Sequence, residues 1–298
     1  MPVALAIVGP TATGKSALAL AAAREAGDCE IVSADAMTVY RGMDIGTAKP
    51  TPAERAEIPH HLIDVADPAE DFSLSRFVEL GRAAIADIEA RGHRAVVVGG
   101  TGLYVRGLVD DLELPGRFPE VRAALEDEAD TAALHRRLAE LDPAAAARME
   151  PSNRRRVVRA LEVTLGAGRP FSSFGPGLDA YPPVPTHQVR LEVPLAELDR
   201  RIDARVDAML AAGLLDEVEG LAGRLSRTAR QALGYRELLA HLEGGVGLEE
   251  AIDTIKVRTR RFARRQVRWF RRDPRIVLVS TGTSPRELVR SAGVKMAR

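Results

Sequence analysis

The spacing of hydrophobic residues in the first part of the chain alternates between two patterns. Short apolar runs at 3–8, 30–35 and 94–98 have the length and composition of buried strands. The longer stretches at 15–27 and 73–92 have the pattern of helices, and each is closed by a glycine. Strands that alternate with helices in this way predict a parallel sheet covered by helices.

The pattern changes after residue 115. Residues 120–168 show no strand pattern, only short helical stretches rich in alanine and arginine. A connector rich in Pro, Gly and Ser follows at 168–186. A strand pattern returns at 187–193, and helices then dominate to the end of the chain, apart from a strand-like run at 275–280.

These patterns predict the α/β fold class in a chain of two parts. The first part is a core with a mostly parallel sheet and C-terminal helices, formed by residues 1–114 and 186–298. The second is an all-helical insertion at 115–185. A length of 298 residues exceeds the usual size of a single domain and agrees with such an arrangement.

Composition and cysteine content indicate a soluble protein of a reducing compartment. Apolar residues make up 46% of the chain and charged residues 28%, as in an ordinary globular protein with a well-formed core. Cys29 is the only cysteine, which excludes an internal disulfide and a cysteine metal cluster. The N-terminus lacks a basic region, and no apolar stretch reaches the roughly 20 residues that span a bilayer. We therefore expect a cytoplasmic location and no membrane partner.

A phosphate-binding motif follows the first predicted strand directly. Residues 9–16, GPTATGKS, match G-x-x-x-x-G-K-[ST] between a strand and a helix, a context that disfavours a chance glycine-rich turn. The eight candidate anion-binding residues are Gly9, Pro10, Thr11, Ala12, Thr13, Gly14, Lys15 and Ser16. Glycines let the backbone wrap an anion, Lys15 neutralises phosphate oxygens, and the Ser16 hydroxyl can be a ligand of Mg²⁺. The motif does not identify the reaction.

Two further polar residues are expected at the edge of the sheet beside this loop. A P-loop ATPase usually has an Asp at the end of another core strand, but the strand at 95–98 runs into Gly99, Gly100 and Thr101 instead. The nearest acid is Asp35, which follows the second strand. Carboxyl ends of parallel strands cluster beside the phosphate loop, so Asp35 and Thr101 should both face it. The alternatives are a turn or helix-cap role for Asp35 and a cap on the next helix for Thr101.

Basic residues are concentrated near the C-terminus. Residues 256–275 contain ten Lys or Arg against one acid, Asp273, a local charge of +9 in a chain of zero net charge. On a helix, one stripe at three–four spacing should face inward: Ile252, Ile255, Thr259, Phe262, Gln266 and Trp269. A second stripe is cationic: Arg258, Arg261, Arg265, Arg268 and Arg272. A single-sign stripe repels itself, which favours polyanion binding over a merely solvated face.

The ordered motifs resemble those of a known family. They are GPTATGKS, SAD followed by VYRGMDIGTAKP, PHHLID, VVVGGTGLY, NRRRVVRALEV, QALGYRE and RRFARRQVRWFRR. The chain resembles the bacterial tRNA dimethylallyltransferases over nearly its whole length, and DIGTAKP with GGTGLY is the specific part of the match. This resemblance implies transfer of a dimethylallyl group from dimethylallyl diphosphate to the 6-amino nitrogen of the tRNA adenosine that follows the anticodon.

The resemblance also implies roles for particular residues. The loop with Lys15 and Mg²⁺ would hold the donor diphosphate, and Thr11 would belong to that donor site. Asp35 would be the general base, and Thr101 would contact the adenosine or the leaving oxygen. The tRNA contacts implied are Asp35, Ala36, Met37, Thr38, Thr101, Arg122, Arg155, Arg156, Arg159, Gln231, Arg236, Arg264, Arg265, Arg268 and Arg271. Ala36 and Thr38 replace the family's usual Ser and Gln, and Arg236 replaces the usual Lys. We expect a monomer that grips an anticodon stem-loop from two basic sides.

Three other functions remain open at the level of sequence. They are a P-loop small-molecule kinase, a prenyltransferase that acts on free adenine nucleotides, and an RNA-binding NTPase without transferase activity. The missing acid after the 95–98 strand and the arginine stripe count against the kinase. His60 and His61 lack a third ligand at suitable spacing, so we interpret them as structural residues.

Overall fold

The computed structural model describes residues 3–110 and 112–293. In this part of the chain one sheet contains six parallel strands in the order β3-β2-β4-β1-β5-β6. Their bounds are β1 (Leu5–Val8), β2 (Cys29–Ser33), β3 (His60–His61), β4 (Arg94–Gly99), β5 (His187–Glu192) and β6 (Ile276–Ser280). The predicted α/β fold with a parallel sheet is confirmed. The sequence patterns did not reveal β3, which has only two residues and pairs with Ile31 and Val32.

Thirteen helices accompany the sheet in the described residues. In chain order they are α1 (Lys15–Ala26), α2 (Pro52–Glu57), α3 (Leu74–Ala90), α4 (Gly102–Val109), α5 (Pro119–Glu126), α6 (Thr131–Leu141), α7 (Pro143–Ala146), α8 (Arg154–Ala167), α9 (Leu195–Ala211), α10 (Leu214–Leu221), α11 (Tyr235–Leu242), α12 (Leu248–Phe270) and α13 (Pro285–Ser291). Short 3₁₀ turns occur at Phe171–Phe174 and Ala229–Gln231. No helix in 3–110 or 112–293 combines the length and apolarity that a membrane span requires.

The chain separates into two compact units. The larger unit contains Met1–Asp110 and Pro183–Arg298, and the smaller contains Asp111–Pro182. The larger unit holds the whole sheet and nine of the described helices. The smaller unit is helical, and α5, α6, α7 and α8 contribute to its own buried core, in which Leu138 and Leu161 are fully buried. Each unit therefore has the hydrophobic core that an independently folded module needs.

The register of the strands places the loops that follow β1, β2, β4 and β5 at the C-terminal edge of the sheet. Val8 at the end of β1 lies beside Gly99 of β4 and Arg190 of β5, while Ser33 of β2 lies beside Val98. Helix α1 packs on one face through alanines, whose small side chains allow close approach to Leu5 and Ile7. Helix α4 contacts β1 and β4, and α12 in turn packs against α4.

The inward stripe predicted for α12 is wrong in part. Ile255 and Gln266 are buried as predicted, but Ile252, Thr259, Phe262 and Trp269 are only half-buried. The fully buried residues are Ala251, Ile255, Ala263, Gln266, Val267 and Phe270. The reason is that α12 packs against more than one neighbour, so its buried face is wider than a single stripe, and small residues let α9 approach.

Candidate active site

The backbone of the phosphate loop has a conformation suited to binding an anion. Gly9 and Gly14 have φ of 134° and 92°, a region that only glycine adopts without strain, and Ala12 also has a positive φ of 62°. The Thr13 hydroxyl donates to the Pro10 carbonyl at 3.0 Å and fixes the turn. Helix α1 begins after Gly14 without a side-chain cap, so the N–H groups of its first turn are left for an anion.

Lys15 follows this loop, and opposing effects act on the pKa of its ammonium group. Its ammonium donates to the Pro10 carbonyl at 3.2 Å. Burial lowers the pKa of Lys15 to about 8; the nearby Asp35 carboxylate opposes this shift, and the Arg205 guanidinium adds to it. Burial also lowers the pKa of Arg205 against the opposing effect of Asp35. Lys15, Arg205 and Asp35 therefore act on one another electrostatically beside the loop.

Arg205 was not singled out from the sequence. It lies on α9, three positions after Ile202, so it shares the side of the helix that carries the buried Ile202 and Val206. An arginine next to the apolar face of an amphipathic helix was the available signal. The Arg205 guanidinium is a second cation near Lys15 and the phosphate loop.

Ser16 is exposed at the start of α1, and its hydroxyl has no hydrogen-bond partner among residues 3–110 and 112–293. A free hydroxyl at this position of a phosphate loop fits a Mg²⁺ that is otherwise held by phosphate oxygens and water. The described residues contain no cluster of three or more His, Cys, Asp or Glu that could hold a metal by themselves. Any cation here would need oxygens supplied by the bound phosphates.

Asp35 and Thr101 come together as expected from the strand order. The Thr101 hydroxyl accepts the Ala36 N–H at 3.1 Å, and the Thr101 N–H donates to the Ala34 carbonyl at 3.2 Å. Thr101 occupies the cap position of α4, but its side chain bonds the neighbouring loop instead of capping the helix. The loops after β2 and β4 are thus joined by two hydrogen bonds.

One of the two oxygens of the Asp35 carboxylate accepts a hydrogen bond within the protein. Its Oδ1 accepts the Met37 N–H at 2.9 Å, which is the turn-forming role considered from the sequence. Its Oδ2 accepts no hydrogen bond from the described part of the chain. One oxygen therefore orients the group, and the other is available to an external donor.

Thr38 turns away from this opening. It is 6% exposed, its hydroxyl lies 3.0 Å from the Ser33 hydroxyl, and it donates to the Asp35 carbonyl at 3.4 Å. Ala36 and Met37 are half-buried. Thr38 therefore supports the loop of Asp35 through its hydroxyl, whereas the methyl of Ala36 makes no hydrogen bond.

The segment after Asp35 is fixed by the half-buried carboxylate of Glu217. The Glu217 carboxylate accepts three successive backbone N–H groups, from Asp44, Ile45 and Gly46, at 2.8, 2.7 and 3.0 Å, and it also accepts the Tyr235 hydroxyl. Burial, followed by this hydrogen bond, raises the pKa of Tyr235. The DIGT backbone is therefore held by one carboxylate from α10.

Lys49 fixes the other end of the segment. Its ammonium contacts the Tyr40 carbonyl at 2.6 Å and the carboxylates of Asp44 and Asp64 at 2.5 and 2.6 Å. The pKa of Asp64 is lowered, because hydrogen bonds from Lys49 and Arg55 outweigh the opposing effect of burial. Lys49 serves to shape the loop and does not reach the phosphate seat.

Gln266 of α12 joins the phosphate loop to the loop after β4. Its Oε1 accepts the Thr11 N–H at 3.0 Å, and its Nε2 donates to the Gly100 carbonyl at 2.8 Å. A Cβ on Gly100 would overlap the Gln266 amide, and one on Gly102 would overlap the Trp269 indole. The glycines of GGTG therefore admit α12 to close range, which explains why Trp269 lies against the protein.

Arg190 is a further buried cation beside the loop. It is 6% exposed, and its side-chain carbon Cγ would lie 3.2 Å from a Cβ on Gly9. Burial lowers its pKa, and the nearby Arg271 adds to this shift. Arg271 itself is one of the predicted RNA contacts, at the end of α12.

The cations of α12 divide into a paired and an unpaired set. Three of them meet a row of acids on α9: Lys256 with Asp207 at 2.6 Å, Arg260 with Asp203 at 2.6 Å, and Arg264 with Asp199 at 2.6 Å. Arg258 pairs with the buried Glu237. The exposed Arg261, Arg265 and Arg268 have no acidic partner among the described residues, although Arg265 lies over the Phe262 ring. The predicted contact Arg264 is thus engaged internally, and Arg265 and Arg268 are not.

Two other predicted contacts lie near the start of α11. Gln231 and Arg236 are both exposed, and the Arg236 guanidinium donates to the Gln231 side-chain oxygen at 3.4 Å. They belong to the larger unit, as do the phosphate loop, Asp35 and Thr101.

The four predicted contacts in the smaller unit lie on two helices, Arg122 on α5 and the other three on α8. The buried Glu162 pairs with Arg122 at 3.3 Å and Arg159 at 2.8 Å, and Arg122 also pairs with Glu126 at 2.8 Å, so these two arginines are engaged in ion pairs within the unit. Arg155 and Arg156 are exposed, without an ion-pair partner in the part of the chain that the structure describes. The smaller unit thus presents a cationic surface mainly through Arg155 and Arg156.

The two histidines form β3, the outermost strand of the sheet, beside β2. His61 Nε2 lies 2.6 Å from Glu30, which His93 and Arg91 also contact at 2.8 Å. Burial raises the pKa of Glu30, but hydrogen bonds from Arg91, His61 and His93 outweigh it and leave the pKa lowered. His61 is therefore a hydrogen-bond partner of a buried carboxylate, and His60 Nδ1 donates to the Ile58 carbonyl at 2.7 Å.

A phosphate loop that opens on a single carboxylate at the edge of a parallel sheet defines a P-loop protein equipped for group transfer. Comparison with known proteins gives the family. The family model described as IPP transferase matches residues 38–273, and the one described as isopentenyl transferase matches residues 2–64. The chain belongs to the tRNA dimethylallyltransferase family, and it is an enzyme of the prenyl-transferring class.

Individual relatives agree over nearly the full length. The tRNA dimethylallyltransferase of Kineococcus radiotolerans is 51% identical over 96% of this chain and 94% of its own, and that of Streptomyces coelicolor is 50% identical over 98% and 95%. The crystal structure of the tRNA isopentenylpyrophosphate transferase of Bacillus halodurans is 38% identical, covers 97% and 94%, and has a TM-score of 0.70. A eukaryotic dimethylallyltransferase captured acting on tRNA is 26% identical, covers 99% and 80%, and has a TM-score of 0.82.

Proposed function

We propose that this protein transfers the dimethylallyl group of dimethylallyl diphosphate to the exocyclic 6-amino nitrogen of the tRNA adenosine immediately 3′ of the anticodon, giving isopentenyladenosine. The observation that carries the proposal is the Asp35 carboxylate. One of its oxygens is held by the Met37 N–H, and the other is free beside the phosphate loop. The family relationship supports the class of substrate, and the geometry of this chain supports the roles of its residues.

The donor diphosphate binds in the phosphate loop. The open N–H groups at the start of α1 and the cations of Lys15 and Arg205 meet the two phosphates. Ser16, with its unengaged hydroxyl, would hold Mg²⁺, which when bound neutralises charge on the departing diphosphate. Lys15 and Arg205 would also neutralise charge on the diphosphate, in a partly buried position where electrostatic stabilisation is strong.

Asp35 acts on the nucleophile. An exocyclic adenine amine is a weak nucleophile because its lone pair is delocalised into the ring. As the bond forms between this nitrogen and the first carbon of the dimethylallyl group, the bond from that carbon to the diphosphate oxygen breaks. The proton released by nitrogen passes to Asp35 Oδ2, and the diphosphate leaves with the bonding electron pair. General base assistance of this kind contributes about 10²–10⁴-fold in rate.

The RNA approaches the outer face of α12. Arg265, Arg268 and Arg271 bind its phosphates, and the target base leaves its stack to reach Asp35 and Thr101. Arg155 and Arg156 of the smaller unit supply further phosphate contacts. Because one chain contains the donor loop, the base and the cationic helix, the enzyme works as a monomer, in the cytoplasm where its tRNA substrate is found.

The decisive experiment incubates the protein with Mg²⁺, labelled dimethylallyl diphosphate and unmodified tRNA. Label should enter the RNA, and nuclease mapping should place it at the adenosine that follows the anticodon. A tRNA with guanosine at that position is the matched control and should remain unlabelled. ATP cleavage without label transfer would instead support a P-loop kinase.

The role of Asp35 is tested in the same assay. Asp35→Asn keeps the shape and the bond from Met37 but removes the basic oxygen, so turnover should fall about 10²–10⁴-fold while donor and tRNA binding stay within a factor of two. Asp253→Asn is the control, because Asp253 is exposed on α12 and has no ion pair in the described residues. Unchanged turnover in Asp35→Asn would remove Asp35 from the role of base.

A further inference from the structure

Gln266 stands out among the buried polar residues because the oxygen and the nitrogen of its amide bond two different loops. It is 6% exposed on α12. Its oxygen accepts from Thr11 in the phosphate loop, and its nitrogen donates to Gly100 in the loop after β4, at 3.0 and 2.8 Å. The partners fix the orientation of the amide, since a backbone N–H requires an acceptor and a carbonyl requires a donor.

The two loops belong to opposite halves of the proposed reaction. Thr11 lies within the loop that binds the donor. Gly100 directly precedes Thr101, whose hydroxyl and N–H hold the loop of Asp35. The distance between donor and base therefore depends on how the two loops are held, and Gln266 is a direct link between them.

Gln266 is itself part of α12, the helix proposed to bind RNA. Arg265 and Arg268 lie one position before and two positions after Gln266, and both are exposed and unpaired in the described part of the chain. On a helix these neighbours point outward while Gln266 points inward. A shift of this turn of α12 would be transmitted to both loops, because the amide bonds each of them.

We propose that Gln266 is a positioning residue that sets the spacing of the donor loop and the base-bearing loop and couples both to the seat of the RNA on α12. This inference rests on the proposed function. An amide is suited to the position because it donates and accepts at once. An ionised glutamate can accept but cannot donate, and methionine of similar length has no donor and only a weakly accepting sulfur. Gly100 is required beside it, since a Cβ there would displace the amide.

Gln266→Met is the first test, because it preserves length and apolar volume but removes both hydrogen bonds. The value of kcat/KM for the donor should fall about 10²-fold, as expected when reacting groups lose alignment, with contributions from both kcat and donor KM. The tRNA dissociation constant, measured directly without donor, should change by less than about threefold, because the phosphate contacts remain.

Gln188→Met is the matched control. Gln188 is 3% exposed near the N-terminal end of β5, and its amide nitrogen has no hydrogen-bond partner among the described residues. It reports the effect of replacing a buried glutamine away from the site. Free energies of unfolding are compared for both variants. Equal losses of kcat/KM in the two variants, or a loss in Gln266→Met that equals the rise in tRNA dissociation constant, would overturn the inference.

Gln266→Glu adds a readout that a purely structural role would not give, and it serves if the methionine variant fails to fold. A protonated glutamic acid can accept from Thr11 and donate to Gly100, as glutamine does, whereas the carboxylate cannot donate. The ratio of its kcat to that of the wild type should therefore rise at least fivefold as the pH is lowered from 8 to 6. A constant ratio contradicts the proposal. If the wild type itself transfers no label, it is the proposed function that fails, not the role of Gln266.

Discussion

If Lys15 binds the donor diphosphate, its lowered pKa should make donor binding depend on pH. Burial lowers this pKa to about 8, so the free protein carries the cation at neutral pH and loses it as the pH rises through 8. The fraction protonated is about 90% at pH 7 and about 10% at pH 9. If binding of the diphosphate requires the ammonium, donor affinity should fall about tenfold between these values.

The measurement is the dissociation constant of dimethylallyl S-thiolodiphosphate, an unreactive donor analogue, at saturating Mg²⁺ from pH 7 to pH 9. The terminal phosphate has a pKa near 6 and does not titrate in this range. Lys15→Arg is the control, because an arginine stays charged and should show weaker but pH-independent binding. Affinity that is flat in the wild type, or that falls equally in Lys15→Arg, would refute the assignment of Lys15 to the diphosphate.

Two further predictions concern RNA binding and the DIGT segment. Arg268→Ala should lower the magnitude of the log–log salt slope of tRNA binding by about 0.7–0.9, whereas Arg260→Ala should change it less, because Asp203 already neutralises Arg260. Binding isotherms at several salt concentrations decide this, and equal changes would mean that the pairing on α9 does not matter. Glu217→Gln should lower the free energy of unfolding by about 2 kcal/mol, since charge-assisted bonds to three N–H groups are weakened. Urea titration measures it, and a loss below about 0.5 kcal/mol would contradict the role of the carboxylate.

Local patterns in the sequence were enough to predict most of the sheet and the position of the phosphate loop. A phosphate loop is continuous in sequence, and its flanking strand and helix carry clear periodicity. The meeting of Asp35 and Thr101 followed from one rule of parallel sheets, that carboxyl ends share an edge. The two-residue strand β3 escaped notice because it is too short to show alternation, and only its pairing with β2 defines it.

What the sequence did not show depends on pairing between distant elements. The acids of α9 lie more than 45 positions from Lys256, Arg260 and Arg264, so the pattern within α12 could not reveal these ion pairs. The same holds for Arg258 of the predicted cationic stripe, which pairs with Glu237. Gln266 was placed on the buried side, but nothing local indicates that its two partners are the Thr11 N–H and the Gly100 carbonyl. Arg205 likewise reaches the site only through the packing of α9. The predicted tRNA contacts and donor contacts remain predictions, and the structure supplies the geometry with which to test them.

The carboxylate of Glu217 has a consequence for phosphate selectivity. The backbone at Asp44–Gly46 directs three neighbouring N–H groups at one point, an arrangement that attracts anions much as the phosphate loop does. Because the protein fills this second cradle with its own tethered acid, at an effective concentration that dissolved phosphate cannot match, the cradle is permanently occupied. We therefore expect diphosphate released by the reaction to bind at the phosphate loop rather than here, and so to compete with the next donor.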